Sequence, residues 1–249
     1  DDLQSPVVQG FTFTVSTRDP EASTRYYQWE WEEAYEFSVP YPVFETYAFE
    51  PEPRATRMPD ANQTRRCWRF GINSELIVGS SRQLEEDVIE AFPVAFVGAR
   101  SGKANWLYSL LVKQYALSEA EFSFLQTLKE NTETTGSLFD PIPAELQGNI
   151  RSLSDPSQPV IGFFGASAVD SQRVFLDRSE FPNRVRITRP FQGCQTDTLE
   201  FSDFTLLYAF LNNRYLWYDT AYSEMLTPIG FTIIYDVCGD CRLTGSPEK

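Results

Sequence analysis

Hydrophobic and polar positions alternate with a period of two along much of this chain, and that alternation predicts strands. Phe11, Phe13 and Val15 interleave with threonines up to a turn at Asp19-Pro20. Further on, Tyr27, Trp29 and Trp31 fall on one face while Gln28, Glu30 and Glu32 fall on the other, the pattern of a long strand with one wet side. Residues 67–72, 75–80 and 92–98 are shorter strand candidates, and 84–91 fits either a helical turn or a strand. The stretch from Trp106 to Val112 is apolar on most of both faces, as in a buried central strand.

One segment changes period. Ser118 and Glu121 have the spacing of a capping box, Leu117 and Phe122 that of a hydrophobic staple. Phe122, Leu125 and Leu128 recur at spacing three, and Thr134-Thr135-Gly136 supplies a stop. A helix over about residues 118–135, with about sixteen residues in helical conformation, would run roughly 24 Å, long enough to cover a sheet face. Five prolines between Pro40 and Pro59 mark a loop or edge excursion. Turn signals at 139–143 and 155–157 flank a short strand near 149–153. Residues 160–164 and 172–177 suggest a hairpin or two neighbouring strands, with Gly162 and Gly165 permitting close approach or a bulge, and 232–237 a final strand. Residues 201–211 leave a second short helix open. The expected fold is mainly β, with sandwich-like antiparallel sheets and one long inserted helix, in a single β-rich domain over 1–249.

Charge narrows the function. A net charge of −14 disfavours nucleic-acid backbones and anionic lipid surfaces. No apolar run approaches the roughly 20 residues of a membrane span, and the start at Asp1 does not read as a signal peptide. The chain has no histidine, so Ser-His-Asp and Cys-His nucleophiles and His-ligated metals cannot be built from it. No catalytic residue, metal ligand or cofactor site is assigned.

Cys67, Cys194, Cys238 and Cys241 can pair in three ways. The C-x-x-C at Cys238–Cys241 also admits a redox dithiol or half of a zinc site. A redox dithiol belongs at a helix start in a βαβ setting, and a four-thiolate zinc site needs a second knuckle. Two structural disulfides, and with them an oxidising compartment, are the expectation.

Several segments together resemble one bacterial family. They are Arg25–Phe37 (RYYQWEWEEAYEF), CWRF at Cys67, the central run LLVKQYALSEAEFSFLQTLKENTETTGSLFDPIPAELQGNI, Pro159–Asp177 and the terminal CGDCRLTG. Taken in order they resemble the C-terminal two-thirds of domain-of-unknown-function family 4249, over nearly the whole chain. The resemblance implies an outer-membrane, cell-surface lipoprotein often encoded beside TonB-dependent receptors. Its membrane contact would run only through a lipid anchor missing from this chain, as is the family's N-terminal β domain. No catalytic residues are implied.

Three functions are weighed. The first is a non-enzymatic accessory lipoprotein of a TonB-dependent outer-membrane transporter, assisting nutrient capture or complex stability. The second is a carbohydrate-binding module with Trp29, Trp31, Tyr41 and Tyr47 as ligand-contact aromatics, and Trp68 or Trp217 as further stacking rings. The third is a glycoside hydrolase using carboxylates drawn from Glu30, Glu32, Glu33 and Glu36, of which Glu30 and Glu32 share a face.

Overall fold

A computed structural model of the chain describes residues 9–21, 23–48, 54–57, 64–133, 146, 148–155, 157–180, 191, 193–202 and 215–246. The architecture is mainly β and antiparallel, sandwich-like, with one long helix. Its centre is β2 (Tyr26–Ser38), paired along its length with β8 (Leu107–Ala116), which in turn pairs with β9 (Ala168–Asp177). On its other side β2 pairs with β5 (Arg66–Ile72) through residues 32–38 and with β6 (Ile77–Ser80) through residues 26–29. β5 and β6 therefore act as one edge strand interrupted at 73–76. This is the five-stranded sheet β5-β2-β8-β9, with β6 paired to β2 on the same side as β5.

Against one of its faces packs a two-stranded sheet of β1 (Gly10–Arg18) and β7 (Val88–Gly98). Tyr27 and Trp29 bury there with Ile89 and Val94, while Tyr108 and Leu110 bury with Val97. Trp29 has no exposed surface; its ring stacks 4.5 Å from Phe92 and its indole N–H donates to Gln114 at 2.9 Å. The core thus sits between the two sheets, and the alternation of β2 decides which of its residues enter it.

A three-stranded sheet, β10 (Thr196–Glu200), β12 (Pro228–Tyr235) and β11 (Tyr215–Tyr222), buries its own cluster of Leu199, Phe231 and Ile233. A small sheet of β3 (Glu45–Ala48) and β4 (Arg54–Arg57) occupies the proline-rich excursion. The final strand begins and ends earlier than its hydropathy suggests. A short helix, α2 (Asp236–Gly239), takes over from β12, with the Asp236 carboxylate accepting from Val237 N–H.

α1 spans Glu119–Glu133, and Ser118 Oγ accepts from Glu121 N–H at 3.2 Å as the capping spacing predicts. The helix meets the start of β2 through Phe122 against Tyr26, ring centroids 5.0 Å apart. It covers one end of the central sheet, not a whole face. Its expected stop at Thr134–Gly136 lies outside the described residues, as do the loop at 139–143 and most of 201–211.

Two expected strands are absent. Residues 149–153 and 160–164 form no ladder. The Asn149 amide takes the place of a strand partner, donating to Phe164 C=O at 2.7 Å and accepting from Phe164 N–H at 2.8 Å. Gly162, at φ 149°, sits in a region closed to other residues and breaks the extended run. Gly165 does permit close approach: a Cβ there would collide with the Glu121 carboxylate.

The cysteines form two bridges, Cys67–Cys241 and Cys194–Cys238, with Cα atoms 5.6 and 5.8 Å apart. The C-x-x-C is therefore neither a free dithiol nor a metal knuckle; its two sulfurs tie the C-terminal segment to different strands' ends. Chain-entropy values for separations of 174 and 44 residues are about 5 and about 4 kcal/mol. Backbone bonds follow the bridges: Tyr41 and Val43 donate to Cys238 and Gly239, and Cys241 donates to Thr64 C=O.

Candidate functional site: the open face of the central sheet

Paired residues of antiparallel strands share a face, so register alone assigns the side of the central sheet that β1 and β7 leave uncovered. One row runs Ile72–Glu32–Leu111–Arg173 and the next Phe70–Ala34–Ser109–Phe175. Two more rows carry Glu30–Lys113–Ser171 and Gln28–Tyr115–Val169. Ile72 is 77% exposed, Phe70 62%, Val169 58% and Phe175 48%. Four strands at ordinary spacing make this face about 14 Å wide. At its middle lies a depression of about 420 Å³ bordered by Glu32, Ala34, Phe70, Ile72 and Arg173. Arg173 reaches across from β9 and donates to Ser109 Oγ at 2.8 Å, and Ser109 is fully covered.

The acidic row is already organised. Lys113 is paired with the Glu32 carboxylate, and the Tyr115 hydroxyl donates to Glu30 at 3.0 Å. Gln28 donates to the other oxygen of Glu30 at 3.2 Å. The Glu32 hydrogen bond holds the Lys113 ammonium above its usual pKa, and partial burial followed by the Glu30 hydrogen bond pushes the Tyr115 phenol up.

Beside this row the interruption of the edge strand leaves a notch. Residues 73–76 bow away from β2, so the backbone of Trp31 loses a strand partner. Asn73 supplies one instead: its side-chain oxygen accepts from Trp31 N–H at 2.8 Å, and its own N–H donates to Trp31 C=O at 3.0 Å. The notch encloses about 390 Å³, and its walls include Glu30, Glu32, Ile72, Ser74, Glu75 and Lys113.

The covered side of β2 uses the same residue types differently. Glu33 is 7% exposed, accepting from Lys103 Nζ at 2.5 Å and from the Tyr108 hydroxyl at 2.9 Å. Burial, reinforced by the Glu33 charge, pushes the Tyr108 phenol far above its usual range. Near the other end, buried Asp87 accepts from the Tyr27 hydroxyl at 2.7 Å and from Ser81 Oγ, and burial again raises the Tyr27 phenol.

The predicted site residues scatter. Trp29 is core, so it has no surface to offer a ligand; a neighbouring sheet lies over it. Trp31 lines the notch but also packs against the Tyr108 cluster. Tyr41 stands edge-on to Tyr218, 5.4 Å between centroids, beside a separate hollow of about 420 Å³ that includes Phe44, Trp217 and Asp219. Tyr47 belongs to β3, and its side chain lies outside the described residues. Glu30 and Glu32 share the notch, whereas Glu33 lies on the opposite face and Glu36 pairs with Arg66 at 3.4 Å. Phe70, Ile72 and Arg173 were not singled out by sequence; their alternation along β5 and β9 is the signal that marks them.

Residues 1–173 match the family described as Domain of unknown function (DUF4249). The chain belongs to that family. The match spans the first two thirds of the chain, not nearly all of it, so the terminal CGDCRLTG and both cysteines in it lie beyond the matched residues. The DUF4249 segment contains α1 and every strand of the central sheet except the end of β9. No curated protein and no solved structure matches the chain.

Proposed function

We propose that this DUF4249 protein is a contact module of the cell envelope that docks another protein by the open face of its central sheet. The partner class we assign is a TonB-dependent receptor of the outer membrane, with the module on the cell surface as an accessory lipoprotein assisting nutrient capture or stabilising the complex. One observation carries the reading: Phe70 and Ile72 on β5 and Val169 and Phe175 on β9 stand exposed on a single face, with Glu32, Lys113 and Arg173 among them. Several large exposed apolar side chains on one sheet face, with charged groups among them, suit an interaction site. β9 adds to it, being the last strand of its sheet among the described residues and exposed along nearly all its length. The two disulfides support an oxidising compartment, and the partner class rests on the family resemblance.

The test is recovery of the full-length, tagged protein from its native outer membrane after mild solubilisation, with its companions identified by mass spectrometry. A receptor of this class recovered in comparable amount is the expected result. Repeated recovery of the protein alone, including after chemical cross-linking in intact cells, contradicts the proposal.

A further inference from the structure

The notch at residues 73–76 has a lining suited to a small ligand; it adjoins the docking face and shares Glu32, Ile72 and Lys113 with it. We infer that it binds a saccharide of one or two rings, and that it prefers an amino sugar to a neutral or acidic one. Three features carry the inference. First, the notch is rigidly framed: Asn73 closes two hydrogen bonds with the Trp31 backbone, and its side-chain amide donates to Glu75 C=O at 2.8 Å. The hollow is therefore part of the sheet edge and not a gap between loose segments.

Second, its polar groups alternate in kind. Gln28, Ser74 and Lys113 bring donors, while Glu30, Glu32 and Glu75 bring acceptors. Sugar hydroxyls both donate and accept, so a ring carrying several of them can satisfy such a mixed wall, whereas a purely apolar or purely cationic ligand cannot. Ile72 and Leu76 add apolar surface for the C–H face of a ring, and about 390 Å³ admits one or two rings. Third, three carboxylates face one ammonium in the wall, a surplus of two negative charges. That surplus favours a protonated amine on the ligand and repels a uronic acid.

The experiment is titration of the folded full chain with glucosamine, glucose and glucuronate, followed by calorimetry and by the tryptophan side-chain resonances in NMR spectra. Glucosamine is expected to bind in the millimolar range, more tightly than glucose, with glucuronate weakest. Glu75→Gln removes an exposed carboxylate that, among the described residues, holds no other element of the fold, and it should weaken glucosamine about tenfold while leaving glucose within about twofold. Ser74→Trp should fill the notch and abolish binding of both, with thermal stability unchanged. Silence towards all three sugars, glucuronate binding best, or wild-type affinity in Ser74→Trp would each overturn the inference. None of these outcomes bears on recovery of a membrane receptor.

Discussion

The two faces of β2 hold nearly the same chemistry and put it to opposite use. On the covered face Glu33 meets Lys103 and Tyr108 under the β1–β7 sheet; on the open face Glu30 and Glu32 meet Lys113 and Tyr115 in reach of water. A carboxylate removed from solvent must be compensated by its partners, and losing one of them leaves a costly orphan. The same trio at the surface is screened, and its members remain available to something outside the chain. Burial, not residue type, separates structure from site along this strand.

Five substitutions and one titration sharpen that contrast. Trp29→Ala should be the most damaging, about 3–5 kcal/mol by denaturant unfolding, because the cavity it leaves between the two sheets cannot collapse. A loss below about 1 kcal/mol would mean the β1–β7 sheet is not firmly seated. Next, Lys103→Ala should cost about 1–3 kcal/mol, since among the described residues Glu33 then keeps only the Tyr108 hydroxyl. Lys113→Ala, on the open face, should barely move the melting temperature. Equal effects of the two lysines would erase the distinction.

Alkaline titration reads the covered face directly. The phenols of Tyr27 and Tyr108 lie above their unfolded value, mainly through burial. Their contribution to stability is therefore complete below about pH 10, the unfolded tyrosine value, and is lost as pH rises beyond it towards their folded values. Of the 12 tyrosines, these two should stay neutral until the protein unfolds, visible as a late step in phenolate absorbance that coincides with loss of circular dichroism. A single step with all tyrosines ionising before unfolding would contradict it. The smallest effect belongs to Phe70→Ser and Ile72→Ser, each within about 0.5 kcal/mol of wild type, because neither side chain is buried.

Much of this was legible from periodicity. The β2 alternation correctly sends Tyr27 and Trp29 to one side and Glu30 and Glu32 to the other, and Ser118 marks the helix start. Yet the same alternation sends Glu33 to the aromatic side, although within a run of glutamates it looks like one more candidate carboxylate. Its compensation comes from Lys103, 70 positions away, which no local pattern reveals. Trp29 and Trp31 look equivalent as stacking rings; what distinguishes them is the cover of a second sheet that only tertiary pairing creates. The notch is invisible for a related reason, since Asn73 replaces a ladder bond with a side-chain bond. At 160–164, where apolar residues resemble a strand, Asn149 does the reverse and takes up the backbone before a ladder can.

Cysteine pairing stayed open among three arrangements because spacing carries no information on which strand end lies beside the C-terminus.

The most direct test places a photo-activated cross-linking side chain at Ile72 on the open face, and in a second protein at Phe96 on the outer side of β7, which is also exposed. Both are expressed full-length in the native host and illuminated in intact cells. Adducts to an outer-membrane receptor from position 72 and none from position 96 are the predicted result. Adducts from position 96 alone, or none from either in a protein that is folded and surface-located, would show that the open face of the central sheet is not where this protein makes contact.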